Sequence, residues 1–198
     1  MTEPVAAELI FSILLIAGFS ITGIFQTFWL QSNLARSMAI PIDMNATFRG
    51  KRVLGPNKTI RGLLVFPPCN AIVFAAIGYF YNQMPTHLQF VAASSYGSLH
   101  WMLIGMITGI TFMLGELPNS FVKRQLGVPA GGMPKNVLLK GVTFVVDQLD
   151  SILAATLVMC FFVDLSLFIV VSIMVLGALI HWLFNLYFSL TGFKNRAA

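Results

Sequence analysis

Charge is what this chain has least of. Only 10% of its 198 residues are Asp, Glu, Lys or Arg, where a soluble domain carries about 25%. Hydrophobic residues reach 57% and the mean hydropathy is +0.83. So few charges cannot cover a water-facing surface, which excludes a soluble globular enzyme, and the apolar content excludes a disordered or collagen-like chain. Cysteine is scarce as well. Cys69 and Cys160 form neither a metal-ligand spacing nor a disulfide framework, and read as small packing residues. No nucleophile elbow, zinc-site spacing or dinucleotide fingerprint occurs. His87, His100 and His181 have no partner at ligand spacing and read as packing or interfacial residues.

What remains is apolar sequence divided by a few polar loops. Residues 9–35 and 63–115 contain no Asp, Glu, Lys or Arg, and a helix needs about 20 apolar residues to cross the hydrocarbon. The first interval therefore holds one span, 9–30, and the second holds two, 63–82 and 97–115. The loop signal Asn82-Gln83-Met84-Pro85-Thr86-His87 separates that pair. A fourth run, 142–163, and a fifth, 167–190, flank the turn Asp164-Leu165-Ser166. The expected fold is an all-α integral membrane protein with five transmembrane helices, one domain over residues 1–198. Phe28, Trp29, Tyr79, Tyr81, Trp101 and Tyr187 lie near span ends, where aromatics anchor helices at the interface.

Five alternating spans put all twelve basic residues on one side. Loop 31–62 carries Arg36, Arg49, Lys51, Arg52, Lys58 and Arg61; loop 116–141 carries Lys123, Arg124, Lys135 and Lys140; the tail carries Lys194 and Arg196. The positive-inside rule makes that side cytoplasmic and leaves the N-terminus, with Glu3 and Glu8, outside. The first apolar stretch is too long for a signal-peptide core and lacks a basic leader, so no cleavable signal is expected. A multi-pass protein of the cell membrane follows, with its C-terminus in the cytoplasm.

The two basic loops hold the chemistry. Lys58-Thr59 suggests a P-loop, but Arg52 and Asn57 occupy the two glycine positions such a loop needs. Lys58 and Arg61 nevertheless suit phosphate oxygens, if they do more than touch anionic headgroups. The second loop runs from Gly115-Glu116 through Asn119-Ser120-Phe121-Val122-Lys123-Arg124 to Gly127, Pro129, Gly131 and Gly132, glycines that let backbone N–H groups approach phosphate. Asp147 and Asp150 fall at i and i+3 on one helix face, early in the fourth apolar run. Carboxylates there are costly unless neutralised, by a divalent cation such as Mg²⁺ or by salt bridges to loop Lys or Arg. Gly105 and Gly109 form a Gly-x-x-x-Gly suited to close helix packing, a homodimer included.

These loops resemble a known family. Ser120-Phe121-Val122-Lys123-Arg124 and Asp147-Gln148-Leu149-Asp150 are similar to the signature of membrane CTP:phosphatidate cytidylyltransferases, the CDP-diacylglycerol synthases. Pro41-Ile42-Asp43, the stretch Gly55 to Gly62 with Lys58-Thr59, and Gly115-Glu116 ahead of Ser120 to Gly127 resemble the small CDP-archaeol synthase branch more closely. Glu116 stands where that branch has Asp, Pro56 where it often has an acidic residue, and Asn45 where it usually has Gly, which suggests a bacterial offshoot.

The resemblance implies transfer of a cytidylyl group from CTP to a lipid phosphate, giving a CDP-lipid and pyrophosphate for phospholipid synthesis. It implies Mg²⁺ on Asp147 and Asp150 with Glu116 assisting, and Lys123 and Arg124 completing the catalytic set. Lys58, Thr59, Arg61, Asn119, Ser120, Gly131 and Gly132 would bind nucleotide or phosphate. The partners are then CTP, phosphatidate or an isoprenoid diether glycerol phosphate, and the bilayer, with no nucleic acid. The competing class is an ion- or proton-coupled transporter using Asp147 and Asp150, against which the charges cluster at one face rather than the midplane.

Overall fold

The computed structural model describes residues 3–190, so Lys194 and Arg196 lie outside the described residues. In chain order the helices are α1 (Glu3–Leu30), the short α2 (Asn33–Ser37), α3 (Ile60–Tyr81), the short α4 (Val91–Ser94), α5 (Ser98–Gln125), α6 (Val137–Met159) and α7 (Leu167–Leu190). The five long ones are each long and apolar enough to cross a membrane, as expected. The chain is a multi-pass membrane protein.

Lipid tails are as apolar as leucine, so helices in a bilayer associate through close packing and interhelical hydrogen bonds. Both meet where α3 crosses α5. A Cβ built on Gly105 would lie 2.6 Å from the Phe74 Cβ and 2.7 Å from the Asn70 carbonyl oxygen, and one on Gly109 would lie 2.9 Å from the Pro67 Cα. The Gly-x-x-x-Gly therefore packs against α3 of the same chain, not at a seam between copies. Asn70, fully buried, donates to the Gly105 carbonyl at 2.8 Å and accepts from Thr22 Oγ1 at 3.0 Å, joining α1, α3 and α5. Such bonds contribute about 0.6 kcal/mol each in a membrane, so the glycine contacts matter more than the polar ones.

Tyr81 and Trp101 are core residues, each 1% exposed, where interface anchoring was expected. Gly78 makes the difference. With no side chain there, the Trp101 ring lies directly on α3, within 5.8 Å of Phe11 and 6.4 Å of Tyr81 by ring centres. The Phe90 amide donates to Tyr81 Oη at 2.5 Å and ties the 82–97 connection over this aromatic end of the bundle.

At the opposite end the helices outrun their apolar sequence. The span expected at 97–115 is a helix to Gln125, and the one expected from 142 starts at Val137. The loop expected at 116–141 thus contracts to residues 126–136. Charge ends a hydrophobic run but not a helix, whose hydrogen bonds continue into the polar layer. The actual stops are Gly127 at φ +78° after α5 and Asn136, whose side chain accepts from the Leu139 amide at 3.1 Å, before α6. The reverse holds at Met159, where α6 ends although apolar sequence continues to Val163.

The long connection 38–59 folds around one carboxylate. Asp43 is buried and accepts from Arg52 (Nη2 to Oδ1, 2.9 Å; Nε to Oδ2, 3.0 Å) and from the amides of Leu54, Gly55 and Asn45 at 3.0, 2.9 and 3.2 Å. Arg52 ends a small hairpin of β1 (Thr47–Phe48) and β2 (Lys51–Arg52), turned by Arg49 and Gly50, both at positive φ, a departure from an otherwise helical chain. Asn45 sits at φ +66°, a region that Asn tolerates better than most side chains. The Arg52 guanidinium, with the three amides, holds the Asp43 carboxyl well below the usual carboxylate range against the opposing effect of burial.

Two outcomes follow from this packing. Gly105→Leu should destabilise the bundle by about 1–3 kcal/mol through overpacking, read as a lowered melting temperature in detergent. Asp43→Asn should weaken loop 38–59 by about 2 kcal/mol at pH 7, read by hydrogen exchange of the Leu54 and Gly55 amides. A carboxyl held low in the folded state stabilises fully above its unfolded value of about 4 and loses that contribution as pH falls toward the folded value. The gap between wild type and variant should therefore narrow below about pH 4.

Candidate active site

The charged end of the bundle is built where α5 and α6 come closest. A Cβ on Gly115 would lie 2.6 Å from Ala154 Cβ and 2.9 Å from the Asp150 carbonyl oxygen. From that contact α5 continues with Glu116, Asn119, Ser120 and Lys123, spaced three, four and seven residues along one helical stripe. The stripe meets Asp147 and Asp150, about three and four turns into α6. Asn119 Nδ2 donates to Asp147 Oδ1 at 2.5 Å and to Asp150 Oδ2 at 2.8 Å. Lys123 Nζ lies 2.6 Å from the same Asp147 oxygen. Asp150 also accepts from the Ser151 amide at 2.7 Å, and among the described residues no basic side chain forms a salt bridge with it.

Two carboxylate oxygens from successive turns thus converge on one amide nitrogen. Asn119 and Lys123 supply the N–H donors that carboxylates need at the edge of hydrocarbon. The salt-bridge alternative is realised at Asp147 and not at Asp150. The same convergence fits a hard divalent cation, which takes carboxylate and amide oxygens and leaves its other positions to water or phosphate. Glu116 stands apart from this pair. Its Oε2 lies 2.5 Å from Lys58 Nζ, and among the described residues no three His, Cys, Asp or Glu side chains form a metal-binding group.

Loop 38–59 forms the second wall. The Lys58–Glu116 pair joins it to α5, Lys51 Nζ donates to the Gln125 carbonyl, and the Phe48 and Phe121 rings lie 5.8 Å apart. Gly55, at φ +98°, lies against Arg124 and Ala130: a Cβ there would be 3.6 Å from Arg124 Cδ and 3.7 Å from Ala130 Cβ. Arg124 Nε and Nη1 are buried without a hydrogen-bond partner. Unpaired guanidinium nitrogens are expensive, and they are what an incoming phosphate would satisfy.

The other expected site residues fall around this pair of walls. Helix α3 starts at Ile60, so Lys58 lies two residues ahead of it, before Thr59 on extended backbone, and Arg61 lies buried in its first turn. Thr59 is the residue before α3, paired through its backbone with Pro41. Ser120 is buried on α5. Gly131, at φ +73°, lies beside Asn57, whose Nδ2 would be 4.0 Å from a Cβ at Gly131; Gly132 follows in a turn closed by its amide on the Pro129 carbonyl at 3.0 Å.

Sequence reasoning assigned no role to Asp43, Arg52 or Gln125 and missed Asn119 as the bridge between the aspartates. The spacing of Glu116, Asn119 and Lys123 carried the signal for Asn119, once α5 is extended past Gly115. Nothing in the spacing signalled the Asp43 cluster, whose partners are mostly backbone amides.

Comparison with known proteins identifies the family. Residues 10–196 match the family described as CarS-like, CDP-archaeol synthase. The CDP-archaeol synthase of Sulfolobus acidocaldarius is 31% identical over 147 residues, covering 73% of this chain and 75% of the relative. That of Sulfurisphaera tokodaii is 31% identical over 147 residues, covering 73% and 74%. No solved structure gives a significant match. The chain therefore belongs to the CDP-archaeol synthase family of membrane nucleotidyltransferases.

Proposed function

We propose that the chain is a Mg²⁺-dependent CTP:lipid-phosphate cytidylyltransferase, with its charged end in the cytoplasm, that makes a CDP-activated lipid and pyrophosphate. The observation that carries this reading is the convergence of Asp147 and Asp150 on Asn119 Nδ2, beside an arginine with two buried, unpaired nitrogens. The family match supports it, and gives no support to a transporter. Orientation rests on the basic loops and the positive-inside rule.

In this reading an oxygen of the lipid phosphate bonds to the α-phosphorus of CTP while the bridging oxygen to the β-phosphorus leaves with pyrophosphate. A phosphate monoester is already an anionic nucleophile, so the site needs no strong base. What it must supply is alignment and charge neutralisation. Asp147 and Asp150 would hold Mg²⁺, which would supply Lewis-acid neutralisation of the phosphates. Asn119 keeps the two carboxylates on one focus, and Glu116 fixes Lys58 at the mouth between α5 and loop 38–59. Arg124 and Lys123 take the charge of the triphosphate and of the departing pyrophosphate. Lys58, Thr59 and Arg61 hold the remaining phosphate oxygens, and Ser120, Gly131 and Gly132 give hydrogen bonds along the nucleotide. The lipid is a glycerol phosphate with two long chains, ester- or ether-linked.

The test is pyrophosphate release from CTP in detergent with Mg²⁺, offered phosphatidate or an unsaturated diether glycerol phosphate. Asp147→Asn and Asp150→Asn should each lower kcat by about a hundredfold or more while the protein stays folded. Arg124→Gln should weaken CTP binding about tenfold, measured by titration calorimetry. A folded wild type that fails to bind CTP in the presence of Mg²⁺ removes the reading.

A further inference from the structure

A cavity of about 260 Å³ lies between α1, α6 and α7, closed toward the bundle centre by Phe66 and Phe112. Along α1 its wall runs from Ile16 to Thr27, about 16 Å of helix at 1.5 Å per residue. The lining changes character along that length. One end is apolar, with Ile16, Phe19 and Ile173; the other carries Gln26, Thr27, His181 and Asn185.

The polar end adjoins the candidate active site on three helices. On α6 the lining begins at Ile152, two residues beyond Asp150. On α5 it includes Phe112, one turn before Glu116. On the α3 side Gln26 Nε2 lies 3.3 Å from a Cβ built on Gly62, the neighbour of Arg61.

Its hydrogen-bonding groups are not all used. Thr27 and Ser20 donate to carbonyls of their own helix, and Asn185 Nδ2 donates to the His181 carbonyl. His181 Nδ1 is buried with no partner, and the Gln26 amide meets a sulfur, Met113 Sδ, at 3.5 Å. An unpaired imidazole nitrogen inside a membrane bundle is costly. A ligand with oxygens at one end and hydrocarbon at the other would satisfy both ends of this wall.

We propose that this cavity binds the lipid substrate itself, the glycerol oxygens against Gln26 and His181 and the start of one hydrocarbon chain along Phe19, Gly23 and Ile173. The inference rests on the cytidylyltransferase reading and adds to it the place and two specificity-determining residues for the lipid. The phosphate then emerges at the polar end, toward Asp150 and Arg61, while the chain stays in the layer it came from. Gly23 keeps the path open, since a Cβ built there meets nothing within 4 Å.

Gly23→Leu places a side chain in that space. It should leave Mg²⁺-CTP affinity unchanged and raise the KM for lipid phosphate about tenfold, with a smaller effect on kcat. His181→Phe keeps a ring and removes its nitrogens, and should raise KM more for ester-linked phosphatidate than for the diether phosphate, because a carbonyl is the stronger acceptor. Independently, phosphatidate bearing a diazirine on one chain should label wild-type peptides of α1 and α7 on irradiation, with competition by unlabelled phosphatidate. Unchanged KM for both lipids in Gly23→Leu, or labelling confined to other helices while turnover persists, overturns the cavity assignment and leaves the reaction standing. A wild type that neither binds CTP nor turns over either lipid overturns the reaction, and this inference with it.

Discussion

Two carboxylates one turn apart at the edge of an apolar helix set the constraint that organises the charged end of this protein. Asp147 and Asp150 cannot be left bare so close to hydrocarbon. The partners come from a helix. Gly115 lets α5 approach the α6 backbone, and the next two turns of α5 then present Asn119 and Lys123 at hydrogen-bonding distance. Remove the close approach and the amide no longer reaches both oxygens. The site is thus a consequence of helix packing, made from the same small-residue contacts that join α3 to α5.

The second wall obeys a different logic. Loop 38–59 has no hydrophobic core of its own, so its shape depends on Asp43 collecting a guanidinium and three backbone amides. That cluster fixes a hairpin with residues in left-handed backbone and delivers Lys58 and Gly55 to the face of α5. Positively charged side chains meet both walls, and acidic ones prevent them from repelling each other: Asp43 against Arg52, Glu116 against Lys58, Asp147 against Lys123. Arg124 is left without such a partner for its buried Nε and Nη1, which sets it apart from these three bracing cations.

Much of this was legible in the sequence, for a reason specific to membranes. Hydrocarbon thickness dictates helix length and charge marks most of the ends, so five spans could be located from apolar runs and the polar turns between them. Their ends could not, because Glu116, Lys123 and Arg124 stop a hydropathy signal and leave the helix intact. The pairing of Asp147 with Asp150 was visible as an i, i+3 spacing. Their connection through Asn119 needed the α5–α6 crossing at Gly115, a contact between residues more than thirty apart in sequence. Tyr81 and Trp101 misled for the same reason: composition says aromatic near a span end, whereas Gly78 on the neighbouring helix decides that the ring goes inward. Gly105 and Gly109 announced a close contact but could not say with which helix.

The two walls also differ in how firmly they are held, and this bears on how a nucleotide is accommodated. The aspartates, Asn119 and Lys123 stand on two long helices that approach closely at Gly115. Loop 38–59 is joined to α5 by the Lys58–Glu116 and Lys51–Gln125 contacts, a long hydrogen bond from Gln125 Nε2 to the Arg52 carbonyl at 3.5 Å, one pair of rings and the approach of Gly55 to Arg124. Partly exposed ion pairs of this kind contribute only about 0–1 kcal/mol, comparable to what a phosphate gains by taking the lysine over. An anion arriving between the walls therefore exchanges Glu116 for itself at Lys58 at little cost, while displacing the carboxylate pair would require separating α5 from α6. Adjustment between the walls falls on the loop, and the geometry of the carboxylate pair stays with the helices.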